Sequence, residues 1–159
     1  MNTSELDEDP ARRQSETVSI EVSDIDDLRA LLEAVYVAKA FGSKWRPELL
    51  GSLPLARISN ALVDALNELA RLTNKEEHYA LSDDRRSLDT KDKFWGVAEI
   101  WDVAVEKLRS KPDAWAAWRR SEKADYVKLI FSPMIISPEM IGAFIREVDG
   151  GVSDGARGA

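Results

Sequence analysis

The chain has 159 residues, 44% of them hydrophobic, a formal charge of -7 and no cysteine. This length suits one domain of ordinary size, which would bury roughly 70% of the surface its unfolded chain exposes. The composition excludes disulfides, thiolate metal sites and thiol nucleophiles, and no apolar run approaches the roughly 20 residues that span a bilayer; with no secretory-type start, the expectation is a soluble, cytoplasmic protein.

Residues 1–27 hold nine acidic side chains against Arg12 and Arg13, whereas residues 28–159 hold 20 of each sign, so the net charge lies wholly in the first 27 positions. Residues 1–16 contain one aliphatic residue larger than alanine, Leu6, too little to offset the entropy of ordering them. They are expected to form a disordered acidic leader to a single helical domain at 17–150, with 151–159 as a disordered tail. Val18, Ile20 and Val22 alternate with Ser19 and Glu21, the period of a short half-buried strand.

Ser23 then reads as a helix N-cap, with Asp24, Asp26 and Asp27 in a first turn where the helix dipole favours negative charge. The helix is expected over about 24–41. Its second half, Leu31 to Phe41, is interrupted only by Glu33 and Lys39, the pattern of a helix buried on several sides. Gly42, Ser43, Pro47 and Pro54 mark a connector. Ile58, Leu62, Ala65, Leu66, Leu69 and Leu72 recur at helical spacing opposite Arg57, Asn60, Asp64, Asn67 and Arg71, predicting an amphipathic helix over about 55–73.

Residues 73–90 are polar with isolated anchors at Tyr79, Leu81 and Leu88, a loop long enough to suspect function or a short hidden helix. Phe94, Val97, Ala98, Trp101, Val105 and Leu108 form an apolar stripe, predicting a helix over about 91–110. Pro112 restarts a helix carrying Trp115 and Trp118. Residues 124–136 fit either a helix or, at 127–131, a strand pairing with that at Val18, and Pro133 breaks either one. A last helix starts at Ser137–Pro138, with Ile141, Phe144, Ile145 and Val148 on one face, and is expected to stop at Gly150–Gly151. The fold expected is mainly α, a single-domain bundle of about five helices around one core, with the N-terminal strand as its one β candidate.

Three groups of residues could carry chemistry. Asp92, Glu99 and Glu106 recur every seven residues, with Asp102 three positions after Glu99. Such carboxylates can share a magnesium ion in helical hydrolases, but the second pair at E-x-x-E spacing that those enzymes need is absent. His78, the single histidine, stands near Asp83 and Asp84 with no nucleophile or orienting group in a catalytic context. Residues 107–128 carry seven basic side chains against Asp113, Glu122 and Asp125, interleaved with Trp115, Trp118 and Tyr126. Cations and aromatic platforms of this kind can hold single-stranded nucleic acid.

No P-loop, dinucleotide fingerprint, zinc spacing or catalytic triad pattern is present. The expectation is therefore a small non-catalytic interaction module that binds another protein with a basic surface, without catalytic residues, metal or cofactor. The partner-binding candidates are Trp115, Trp118, Arg119, Arg120, His78, Asp83 and Asp84. Size and charge resemble those of small acidic inhibitors such as immunity proteins, an analogy of composition and not of motif. The alternatives are a nucleic-acid accessory protein using residues 107–128 and a metal-dependent hydrolase on Asp92, Glu99 and Asp102.

Overall fold

A computed structural model describes residues 21–155, with side-chain surroundings given up to residue 150. The expected leader and strand residues Val18 and Ile20 lie outside the described residues, as do positions 156–159. The fold is mainly α. Five long helices, α1 (Ile25–Gly42), α2 (Leu53–Leu72), α5 (Val97–Arg109), α7 (Arg120–Phe131) and α8 (Pro138–Gly155), are joined by short helices α3 (Glu76–Tyr79), α4 (Asp83–Arg86) and α6 (Pro112–Ala116). A two-residue pair, β1 (Ser87–Leu88) and β2 (Ile135–Ile136), runs parallel with Ser87 opposite Ile135 and Leu88 opposite Ile136.

Local chemistry sets most boundaries. Asp24, one position after the expected Ser23, caps α1, its Oδ1 accepting from the Asp26 N–H at 2.8 Å and the Asp27 N–H at 3.4 Å. Ser52 caps α2 through the Leu55 N–H. Helix α5 begins six residues later than its stripe suggests. Gly96 has φ +83°, which no helix continues, and Phe94 and Trp95 therefore belong to the preceding turn.

Residues 127–131 are the end of α7, not a strand: Val127, Ile130 and Phe131 are buried together at the i, i+3, i+4 spacing of one helical face. Among the described residues, the β pairing present is that of β1 with β2. Helix α8 runs past Gly150 to Gly155, because an interior glycine costs only about 1 kcal/mol and removes no backbone hydrogen bond.

Buried apolar residues fall into two clusters where one core was expected. The larger packs α5, α7 and α8 around Trp101, whose ring meets Phe144 edge-on at 4.9 Å and Phe131 at 5.9 Å. The smaller joins Ile25, Leu28 and Leu32 of α1 to Val63, Leu66 and Ala70 of α2. Helix α1 takes part in both, through Ala40 in the first. Its second half is less covered than its composition suggests, since Leu31, Val37 and Phe41 are exposed. An apolar face of α1 is left without a covering helix.

Candidate docking groove

Val37, at the edge of that uncovered face, borders a groove of about 580 Å³. Leu32, Tyr36 and Val37 of α1 line it with Leu66 of α2, and the far wall comes from residues 78–81 and from Phe94, Trp95, Pro133 and Met134. The volume lies within the few hundred to about 1,000 Å³ usual for binding clefts, and such clefts have mostly apolar walls with a few oriented polar groups.

The walls are held by specific bonds. Asn67 pins the α3–α4 connector to α2, donating to the Leu81 carbonyl at 3.2 Å and accepting from its N–H at 2.6 Å. Arg85 donates to the carbonyls of Ala80 (3.0 Å) and Glu77 (2.8 Å), closing that turn on itself. Arg86 reaches the Pro133 carbonyl at 2.8 Å and Asp83 at 2.8 Å, while its Nε is buried without an acceptor. The Tyr79 hydroxyl donates to Asp26 at 2.8 Å, joining the connector to the start of α1.

Trp95 is presented outward by the same local geometry that delays α5. Its carbonyl accepts from the Tyr36 hydroxyl at 2.7 Å, and its ring lies 4.9 Å from that of Phe41. A Cβ on Gly96 would lie 3.1 Å from the Ala40 Cβ, so glycine serves both the left-handed turn and the close approach to α1. Burial, with a smaller push from Glu99, raises the Tyr36 hydroxyl to about 12 and keeps it a donor at neutral pH. Trp95 is 61% exposed, a large indole fixed at the rim of a groove.

Lys39 supports the opposite wall. It is 1% exposed, and its Nζ donates to the carbonyls of Leu129 and Ser132, both at 2.9 Å, satisfying orphan acceptors at the end of α7 just before Pro133 and Met134. Among the described residues no carboxylate pairs with it, and burial pushes the amine down to about 7.

The residues nominated from sequence separate into two groups. His78 lines the groove, Asp83 is tied to Arg86, and Asp84 stands exposed beside it. Trp115 in α6 and Trp118, Arg119 and Arg120 at the start of α7 lie at the opposite end of α7 from Pro133, a helix length of roughly 18 Å at 1.5 Å per residue. The two groups form no common surface. Trp115 is also not free to meet a partner: it is 2% exposed, donates from Nε1 to Asp149 at 2.8 Å and lies under the Lys123 ammonium at 4.8 Å. Trp118 packs on Trp115 and Tyr126 and stays 37% exposed, while Arg119 pairs with Glu122 and Arg120 is exposed.

Of the seven basic residues at 107–128, five are engaged within the chain: Lys107 on the Pro47 carbonyl, Arg109 on the Glu147 carbonyl, and Arg119, Lys123 and Lys128 on Glu122, Asp149 and Asp125. Asp92, Glu99 and Asp102 do not converge, and the described residues contain no group of three acidic or histidine side chains able to hold a metal ion. Also among them, no helix is long and apolar enough to cross a membrane.

Tyr36, Lys39, Trp95 and Gly96 escape a sequence reading because each works through a partner more than 50 positions away or through a backbone angle. The tripeptide Phe94-Trp95-Gly96 is their one local signal. Comparison with protein-family models, with curated proteins and with solved structures gives no match for this chain.

Proposed function

We propose that this chain is a non-catalytic protein-interaction module, an inhibitor or regulatory partner, that docks another protein in the groove between α1 and the α3–α4 connector. The observation that carries this reading is Trp95. A tryptophan left exposed yet fixed by Phe41, Tyr36 and Gly96 is preordered for contact, and preordered aromatic anchors dominate binding energy at protein interfaces. The cysteine-free sequence suits a reducing compartment, in keeping with a cytoplasmic role.

The test is paired affinity purification from the native host with wild type and Trp95→Ala as baits. The variant should melt within a few degrees of wild type, since loss of an exposed side chain costs about 1 kcal/mol or less. A partner held stoichiometrically by wild type should fall at least tenfold with the variant, a loss of about 1.4 kcal/mol or more. Equal recovery with both baits refutes the groove as the docking surface.

A further inference from the structure

The side chains that line the groove carry more positive than negative charge: Arg29, Arg85 and Arg86 stand against Glu33 alone. Arg29 is committed to Glu33, one helical turn on, at 3.1 Å. Two guanidiniums remain. Arg85 is exposed and holds the carbonyls of Ala80 and Glu77, but it pairs with no carboxylate among the described residues. Arg86 is less well served by solvent: its side chain is 15% exposed, its carboxylate partner Asp83 is 83% exposed, and its Nε is buried without an acceptor. A cation so far out of water is only partly compensated by a carboxylate that keeps most of its hydration. The chain as a whole is acidic, but Glu76, Glu77, Asp83 and Asp84 of the connector stand outside the lining. Because more distant charge is screened over about 8 Å at physiological salt, the groups in contact with an occupant weigh most.

Building on the groove as the docking surface, we infer that its occupant is an acidic segment of a partner protein, in which an aspartate or glutamate stands close to a large apolar side chain. The apolar side chain enters among Val37, Phe94, Met134 and the Trp95 ring, where its area is removed from water. Arg86 sets how the two parts sit together. Its 2.8 Å bond to the Pro133 carbonyl places the guanidinium beside the residue that precedes Met134, so the cation borders the apolar floor. A carboxylate arriving there meets Arg86 and Arg85, and guanidinium–carboxylate bonds are shorter and stronger than neutral ones. A lysine or arginine in the same place meets like charge and is selected against. The net charge of the chain suggests a basic partner, whereas the lining of this groove selects an acidic one.

Three blocked twelve-residue peptides test this on the full-length protein, sharing one leucine pattern and carrying glutamate, glutamine or lysine at the other positions. Reporters are the Trp95 indole N–H and the Met134 methyl resonances, assigned with Trp95→Phe and Met134→Leu. The glutamate peptide should move both and bind about three- to tenfold tighter than the glutamine peptide, with the lysine peptide weakest. Arg85→Gln should narrow the gap between glutamate and glutamine. Glu33→Gln removes the one acid of the lining and frees Arg29 at the loss of an exposed ion pair, so it should tighten the glutamate peptide about twofold or more with the melting temperature nearly unchanged. Should Arg85→Gln melt early, Glu33→Gln alone decides. A glutamine or lysine peptide that binds as well as the glutamate one overturns the charge assignment and leaves the groove as a docking surface. A glutamate peptide that leaves both reporters still, or that binds wild type and Glu33→Gln alike, overturns the inference outright. A single-stranded oligonucleotide that displaces the glutamate peptide overturns it in favour of nucleic acid, and reporters that move with protein concentration alone overturn it in favour of a second copy of this chain. Failure of the groove itself is read separately, from partner capture by Trp95→Ala.

Discussion

Lys39 makes stability depend on pH in a calculable way. Its amine titrates at about 7 in the folded chain against 10.5 in the unfolded one, because burial disfavours the ammonium and no carboxylate compensates. Between these values the unfolded chain holds a proton that the folded chain has released, so stability rises with pH, at up to about 1.4 kcal/mol per unit. Below 7 both states carry the proton and the contribution is flat at its least favourable. From pH 8.0 to 9.5 this one group should add about 2 kcal/mol to the free energy of unfolding.

Other groups titrate in or near that window. Lys107, also lowered by burial, adds a slope of the same sign. Tyr36 and Tyr126, raised by burial, withdraw stability only above about 10, where the unfolded tyrosines ionise first. The comparison is therefore between wild type and Lys39→Met, which keeps the unbranched shape and most of the length of the side chain and removes its titration. The thioether leaves the Leu129 and Ser132 carbonyls without their donor, at about 1–3 kcal/mol, so the variant should be clearly less stable at pH 9.5 and closer to wild type at pH 7. Urea melts at half-unit steps from pH 6.5 to 9.5 measure both curves. Parallel curves would mean that Lys39 stays charged in the fold and would refute the argument.

Trp101→Ala should lose about 3–5 kcal/mol in denaturant melts, since it empties the space between Phe131 and Phe144 and leaves Glu147 without the indole donor at 2.8 Å. A loss below about 1 kcal/mol would mean that the larger cluster does not depend on this ring. Gly96→Ala should cost about 1–3 kcal/mol, because φ +83° strains any L side chain and the new Cβ meets that of Ala40 at 3.1 Å. The same variant should shift the Trp95 indole resonance; an unchanged spectrum and melting curve would show that the turn tolerates a side chain.

The long helices were legible because their signal is local. The stripe from Ile58 to Leu72 is a period of 3.6, and the observed helix, Leu53–Leu72, lies within two residues of the expected start and one of the expected end. Pro138 and the residues after it mark the last helix start for the same reason, and Trp101 reads as core from its neighbours at i-3 and i+4, Ala98 and Val105. Of the nominated residues, His78 lines the groove and Asp83 pairs with the groove residue Arg86, whereas Trp115 is buried, which the sequence leaves open because a tryptophan in a cationic run reads alike whether Asp149 folds over it or not.

What the sequence alone determined is thus the helical class, most helix positions and the concentration of negative charge ahead of α1, all properties of composition and short-range periodicity. Which apolar face each helix hides is a different kind of fact. Leu31, Val37 and Phe41 have the composition of a core, yet each stays more than a third exposed, because α2 covers the Ile25–Leu28–Leu32 face and Phe41 meets only the rim tryptophan, Trp95. Lys39, two residues from exposed Val37 and two from exposed Phe41, is buried because α7 ends beside it and offers two unpaired carbonyls. Those outcomes depend on segments 30 to 90 positions apart meeting in space, and only the tertiary structure decided them.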